Sequence, residues 1–198
     1  MDINQSKDAS RNLASSIIHD ARIPDRVFSP DYGYVYVVSF QRLMSIDALD
    51  LIHALMREEG ASHVMLSTLT FVDKSERPDE RLVVSESTSS NDYREYLKHD
   101  TTFGSHLTPS NTSKPWFVFA DRVACCSNVG GWCIYGQRFS EIALIAFKVK
   151  PNVFAERNLL KRFGVECLAD AMNRNTFFGG ASNEFSASQR ARLAKSYL

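Results

Sequence analysis

The chain has little of what most often announces a function. It contains neither G-x-x-x-x-G-K-[ST] nor G-x-G-x-x-G, so readings as a nucleotide-phosphate or dinucleotide binder lose their main support. G-x-S-x-G is absent as well, which removes the commonest mark of an α/β-hydrolase nucleophile. Neither H-E-x-x-H nor an EF-hand loop occurs, so the usual zinc-protease and calcium-loop patterns are missing. No run approaches the roughly 18 apolar residues of a membrane span. The longest, Ile142 to Phe147, has six residues and suits a buried strand. The opening MDINQSKDAS lacks a basic stretch leading into an apolar core, so no signal peptide is expected and a cytoplasmic location is. In that compartment the four cysteines are expected as reduced thiols. The Asn111-Thr112-Ser113 sequon would then carry no glycan.

What is present is a globular composition. Of 198 residues, 44% are hydrophobic and 23% charged, which excludes collagenous, coiled-coil and wholly disordered chains. A chain of this length buries roughly 70% of its unfolded surface and needs no disulfide or metal to fold. Net charge is zero but unevenly spread. Residues 1–100 carry 17 acidic and 11 basic side chains, a net of −6, and residues 101–198 carry a net of +6. Such asymmetry fits two halves that pair within one fold, or an acidic face turned to a basic partner. The overall basic excess of a nucleic-acid binder is missing.

Residues 8–22 place Leu13, Ile17, Ile18 and Ala21 along one helical face. Tyr34 to Phe40, aromatic and β-branched after a turn, predicts a strand. Ser45 starts a helix to about Glu59, with Ala48, Leu51, Ile52, Leu55 and Met56 at helical spacing, and Gly60 suits its left-handed end. Strands are predicted at His63–Val72 and Arg81–Ser87, then a short helix at Ser89–His99 with Tyr93, Tyr96 and Leu97 on one face. Residues 104–115 read as a long loop. Trp116–Asp121, Trp132–Gly136 and Glu141–Val149 predict three more strands, the last two close enough for a hairpin. A long helix is expected over Val153–Asn173, followed by a break at 175–185 and a basic helix at Ser186–Leu198. This irregular order predicts an α+β fold with a largely antiparallel central sheet of five to six strands flanked by helices. Residues 1–174 would form the domain, with 175–198 a loop and helix packed on or appended to it.

Candidate chemistry is sparse. Adjacent Cys125 and Cys126 in an extended segment point to opposite faces, and with Cys133 they read as structural thiols rather than zinc ligands. His19, His53, His63, His99 and His106 lack a nearby carboxylate cluster, so neither a metal nor any other cofactor is expected. The carboxylates Glu58, Glu59, Asp79, Glu80, Asp92 and Glu95 stand in polar surroundings. They suit a solvated face or, with Tyr93, acceptors for the basic groups of a protein partner. Tyr32, Tyr34, Tyr36, Trp116 and Trp132 lack the flanking basic residues of a base-stacking sheet. Arg190, Arg192 and Lys195 offer only weak, salt-sensitive contact with phosphate.

The stretches Trp116-Phe-Val-Phe-Ala-Asp121, Gly131-Trp132-Cys-Ile-Tyr-Gly-Gln-Arg138 and Glu141-Ile-Ala-Leu-Ile-Ala-Phe147 resemble the closing strands of bacterial immunity proteins that accompany polymorphic or contact-dependent toxins. In those, a strand ends in Asp, a Trp opens the next, and an Arg sits at the hairpin before an apolar strand. The resemblance covers about residues 116–147 and carries over no binding residues. It implies a cytoplasmic, non-enzymatic inhibitor that occludes a toxin's active site. The expected partner is a basic toxin domain, met by an acidic surface comprising Glu58, Glu59, Asp79, Glu80, Asp92, Tyr93 and Glu95. Two other readings stay open: a small enzyme using Cys126 or His106, and a nucleic-acid-associated or phage accessory protein using the basic C-terminal helix. The aromatic strands would also suit a homodimer interface. No membrane partner is expected.

Overall fold

The computed structural model describes residues 3–71, 81–98, 120–152, 162–174 and 186–198. In chain order these form α1 (Ile3–Ser16), β1 (Tyr34–Ser39), α2 (Phe40–Leu43), α3 (Ala48–Glu59), β2 (His63–Phe71), β3 (Arg81–Ser85) and α4 (Ser90–Lys98). They continue with β4 (Ala120–Ser127), β5 (Trp132–Gln137), β6 (Ile142–Phe147), β7 (Glu166–Cys167), α5 (Leu168–Asn173) and α6 (Ala187–Tyr197). Seven strands make one sheet in the order β3-β2-β4-β5-β6-β1-β7. Every pairing is antiparallel. The fold is α+β, with helices on both faces of the sheet.

Period-two alternation sorts the central strands between two cores. Val123, Cys125, Trp132, Ile134, Ile145 and Phe147 face the first core, where α2, α3 and α4 pack. Ala124, Cys126, Cys133, Tyr135, Leu144 and Ala146 face the second, with α1, the segment through Tyr32, α5 and α6. Both faces are covered, so β6 is buried at every position. This is why Ile142–Phe147 reads as an unbroken apolar run, a pattern more usual in parallel sheets.

Sequence and structure part at three places. The first helix ends at Ser16 rather than Arg22. Beyond it Ile17 bridges to Phe28 and the Ile18 N–H donates to the Val27 carbonyl at 2.8 Å, so the chain leaves the helix to pair with its own return. The strand expected at Trp116–Asp121 is Ala120–Ser127, with residues 116–119 outside those described, and Asp121 lies near its start instead of its end. The long helix expected through Asn173 is interrupted. Gly164 adopts φ 60, a conformation glycine takes without penalty, and Glu166–Cys167 then pairs with β1 as the seventh strand. The sheet therefore exceeds the five to six strands expected.

The last helix is packed on the body. Ser186 and Gln189 cap it reciprocally, Leu193 is buried in the second core, and the Tyr197 hydroxyl accepts from the Val27 N–H at 2.8 Å. Among the described residues no helix is long and apolar enough to cross a membrane.

Candidate functional site

The last turn of α3, the β4–β5 turn and the chain leaving β6 enclose a groove of about 320 Å³. Its floor is apolar, made by Leu55, Trp132 and Phe147, and Glu58 and Glu59 stand along one wall. Val129 and Val149 form the rim and are 52% and 77% exposed, unusual for valine. Tyr36 buttresses the floor from β1, its ring edge-on to Phe147 at 5.7 Å.

The walls are held by hydrogen bonds rather than by regular structure. Glu59 accepts from the Ser127 hydroxyl and from the Gly131 N–H. Ser127 Oγ accepts in turn from the Gly130 N–H at 2.9 Å. From the other side Asn12 Nδ2 donates to the Ser127 and Asn128 carbonyls at 3.2 and 2.9 Å. Asn128 Oδ1 receives the Ser62 and His63 N–H groups at 3.1 and 3.3 Å. The turn that carries Val129 is therefore clamped by α1, α3 and the start of β2. Glu58 accepts from the Asn152 N–H, which ties the segment after β6 to α3.

Burial raises the Glu59 carboxyl above its ordinary value, against the donors on Ser127 and Gly131 and the nearby Lys148 charge. The buried Trp132 indole N–H lies near enough to favour the Glu59 charge without completing a hydrogen bond. Lys148 Nζ is 5.3 Å from the centre of the Tyr32 ring, a residue of the second core. Glu58 and Glu59 thus form the acidic wall, with Lys150 at the margin and Lys148 close enough to act on Glu59.

The sequence-nominated residues scatter. Glu58 and Glu59 meet at the groove. Asp79 and Glu80 lie outside the described residues. Asp92 and Glu95 are exposed on α4. Tyr93 corrects the expectation of a partner contact: it is 0% exposed, because it shares an α4 face with Leu97 and both pack into the first core. Val129 and Val149 carry no mark in the sequence, since each looks like an ordinary core or turn residue until the loops enclosing the groove are in place, and Trp132 stands out there only as one of the aromatics.

The nucleophile nominated for the enzyme reading, Cys126, is 0% exposed, and His106 lies outside the described residues. In the basic helix Arg192 is engaged by both Asp25 oxygens, at 2.6 and 2.7 Å. His53 Nε2 lies 3.0 Å from the Ser85 carbonyl and His63 Nδ1 2.9 Å from Ser62 Oγ, both partnered within the fold. Among the described residues no three His, Cys, Asp or Glu side chains are grouped as metal ligands.

No protein-family model, curated protein or solved structure matches this chain. Its function is therefore argued from the groove. An apolar floor with carboxylates on one wall and exposed valines at the rim can take one long side chain that is greasy along its stem and cationic at its tip.

Proposed function

We propose that the protein is a protein-binding inhibitor of the immunity type, which seats a lysine or arginine side chain of a basic toxin domain in the Glu58/Glu59 groove and covers that toxin's active site. The observation that carries this reading is the groove itself, an apolar floor beside two carboxylates under a rim of exposed Val129 and Val149. The whole chain is neutral and its two halves interleave in one sheet, so the attraction for a basic group comes locally from Glu58 and Glu59. Energetically the stem matters more than the tip. Each buried methylene contributes about 0.8 kcal/mol, whereas an exposed ion pair at the rim adds about 0.2–1 kcal/mol. Charge then selects the partner and hastens encounter, and apolar burial holds it.

The test is capture of partners from the native source, followed by expression of each captured protein alone and with this chain. The reading expects a stoichiometric partner that is toxic alone and harmless when co-expressed. A Val149→Lys/Glu58→Lys double variant should bind it at least about tenfold more weakly, a loss of about 1.4 kcal/mol. Absence of any such partner, or full affinity in the double variant, overturns the proposal.

A further inference from the structure

Cys126 in β4 and Cys133 in β5 are direct cross-strand partners. The ladder's phase is set by the Arg138 N–H, which donates to the Asp121 carbonyl at 2.8 Å. Hydrogen-bonded and non-hydrogen-bonded pairs alternate along an antiparallel ladder, and Cys126 lies an odd number of steps from Asp121. The cysteines therefore occupy a non-hydrogen-bonded pair, where Cα atoms stand about 4.5 Å apart and side chains approach most closely. A disulfide needs Cα atoms about 4.4–6.8 Å apart, so the backbone already meets its span.

The other two thiols are kept away. Cys125 projects through the sheet into the first core, whereas Cys126 and Cys133 share the second. Cys167 belongs to β7, separated from β5 by β6 and β1. The paired sulfurs also differ from each other. Cys126 Sγ lies 3.9 Å from Ser16 Oγ and 3.5 Å from the Trp132 carbonyl. The neighbouring Cys133 thiol lowers Cys126 from its ordinary value, and burial pushes Cys133 well up. Both shifts favour Cys126 over Cys133 as the attacking sulfur.

We propose that Cys126 and Cys133 form an oxidisable dithiol, a modification site at which a peroxide is reduced and an intrasheet disulfide is made. Ionised Cys126 attacks one peroxide oxygen, the O–O bond breaks, and the departing hydroxide takes up the proton that Cys126 gave up and leaves as water. The Cys133 sulfur then attacks the resulting sulfenic acid, forming the S–S bond and releasing a second water. Two thiols and one hydrogen peroxide become one disulfide and two waters. Both sulfurs are buried in the two central strands of the sheet, so peroxide reaches them only in rare openings of the core and the oxidation is slow.

The experiment treats the full chain, folded, with hydrogen peroxide, then unfolds it in N-ethylmaleimide and digests with chymotrypsin, which cuts after Trp132 and separates the two cysteines. Alkylatable thiols should fall from four to two. Cys126 should be linked to Cys133, with Cys125 and Cys167 alkylated. A Cys125→Ala variant, which removes the adjacent thiol, should give the same link. Retention of four thiols in the folded wild-type protein, or a link through Cys125 or Cys167, overturns the proposal.

Discussion

Glu59, at the end of α3, accepts the N–H of Gly131 in the β4–β5 turn, and a Cβ on Gly131 would lie 2.5 Å from Glu59 Oε1. The carboxylate occupies the space that any side chain at position 131 would need. The shape of the groove therefore depends on the pairing of an acid with a glycine.

Substitution at Glu59 separates charge from hydrogen bonding. Its carboxyl is raised above the ordinary 4.5 by burial, so the folded state binds the proton more tightly than the unfolded one. The stability it contributes is full below about pH 4.5 and declines as pH rises through the raised folded value. Glu59→Gln mimics the protonated form, accepting from Gly131 and donating to Ser127, and is expected to match wild type at acid pH, to exceed it in stability at neutral pH, and to lack that slope. Glu59→Ala leaves the Gly131 N–H unpaired and is expected to cost about 1–3 kcal/mol. Urea midpoints from pH 3.5 to 7 measure both, and equal loss in the two variants contradicts the assignment.

Gly131→Ala tests the steric half of the pairing. The glycine's φ is not in the left-handed region, so the cost comes from displacing the Glu59 carboxylate. Expected destabilisation is about 1–3 kcal/mol, with amide exchange quickened at Gly130 and Gly131. Combining it with Glu59→Ala should recover part of the loss, because the obstructing carboxylate is gone, and a double-mutant cycle reads that coupling.

Tyr93 is buried in the first core with a hydroxyl that has no hydrogen-bond partner among the described residues. Tyr93→Phe removes an unsatisfied polar group and is expected to leave stability unchanged or raise it by about 1 kcal/mol. Tyr93→Ala opens a cavity and should cost about 3–5 kcal/mol. Thermal unfolding of the two variants decides it, and a large loss in Tyr93→Phe would show that the hydroxyl has a partner.

Asp92 caps α4 rather than standing free. Its carboxylate accepts from the Ser89 N–H at 3.2 Å and the Ser89 hydroxyl at 2.6 Å, while Ser89 Oγ accepts from the Asp92 N–H at 3.1 Å. The Ser89 donors lower its carboxyl below the ordinary 3.8. Its stabilising contribution is thus present above that pH and lost as pH falls through the folded value. Asp92→Ala should quicken amide exchange across the first turn of α4 at pH 6 and give no difference from wild type at pH 2. An identical exchange pattern at pH 6 would remove the cap.

Local chemistry was legible in the chain itself. The spacing of Ala48, Leu51, Ile52, Leu55 and Met56 specified α3, and Gly60 ended it at φ 70. Aromatic, β-branched and apolar runs bounded by turn residues specified β1, β2, β3, β5 and β6, and the opposite facing of Cys125 and Cys126 followed from strand geometry alone. These depend on neighbours within a few residues. Strand order, the β7 pairing after Gly164 and the burial of Tyr93 depend on partners far along the chain, and the meeting of Cys126 with Cys133 on the register of the β4–β5 hairpin. So does the groove. Glu58 and Glu59 stood out as acids, but only packing set them beside Trp132, Phe147 and Val149, because covering both faces of one sheet decides which side chains are buried and which are left at its end.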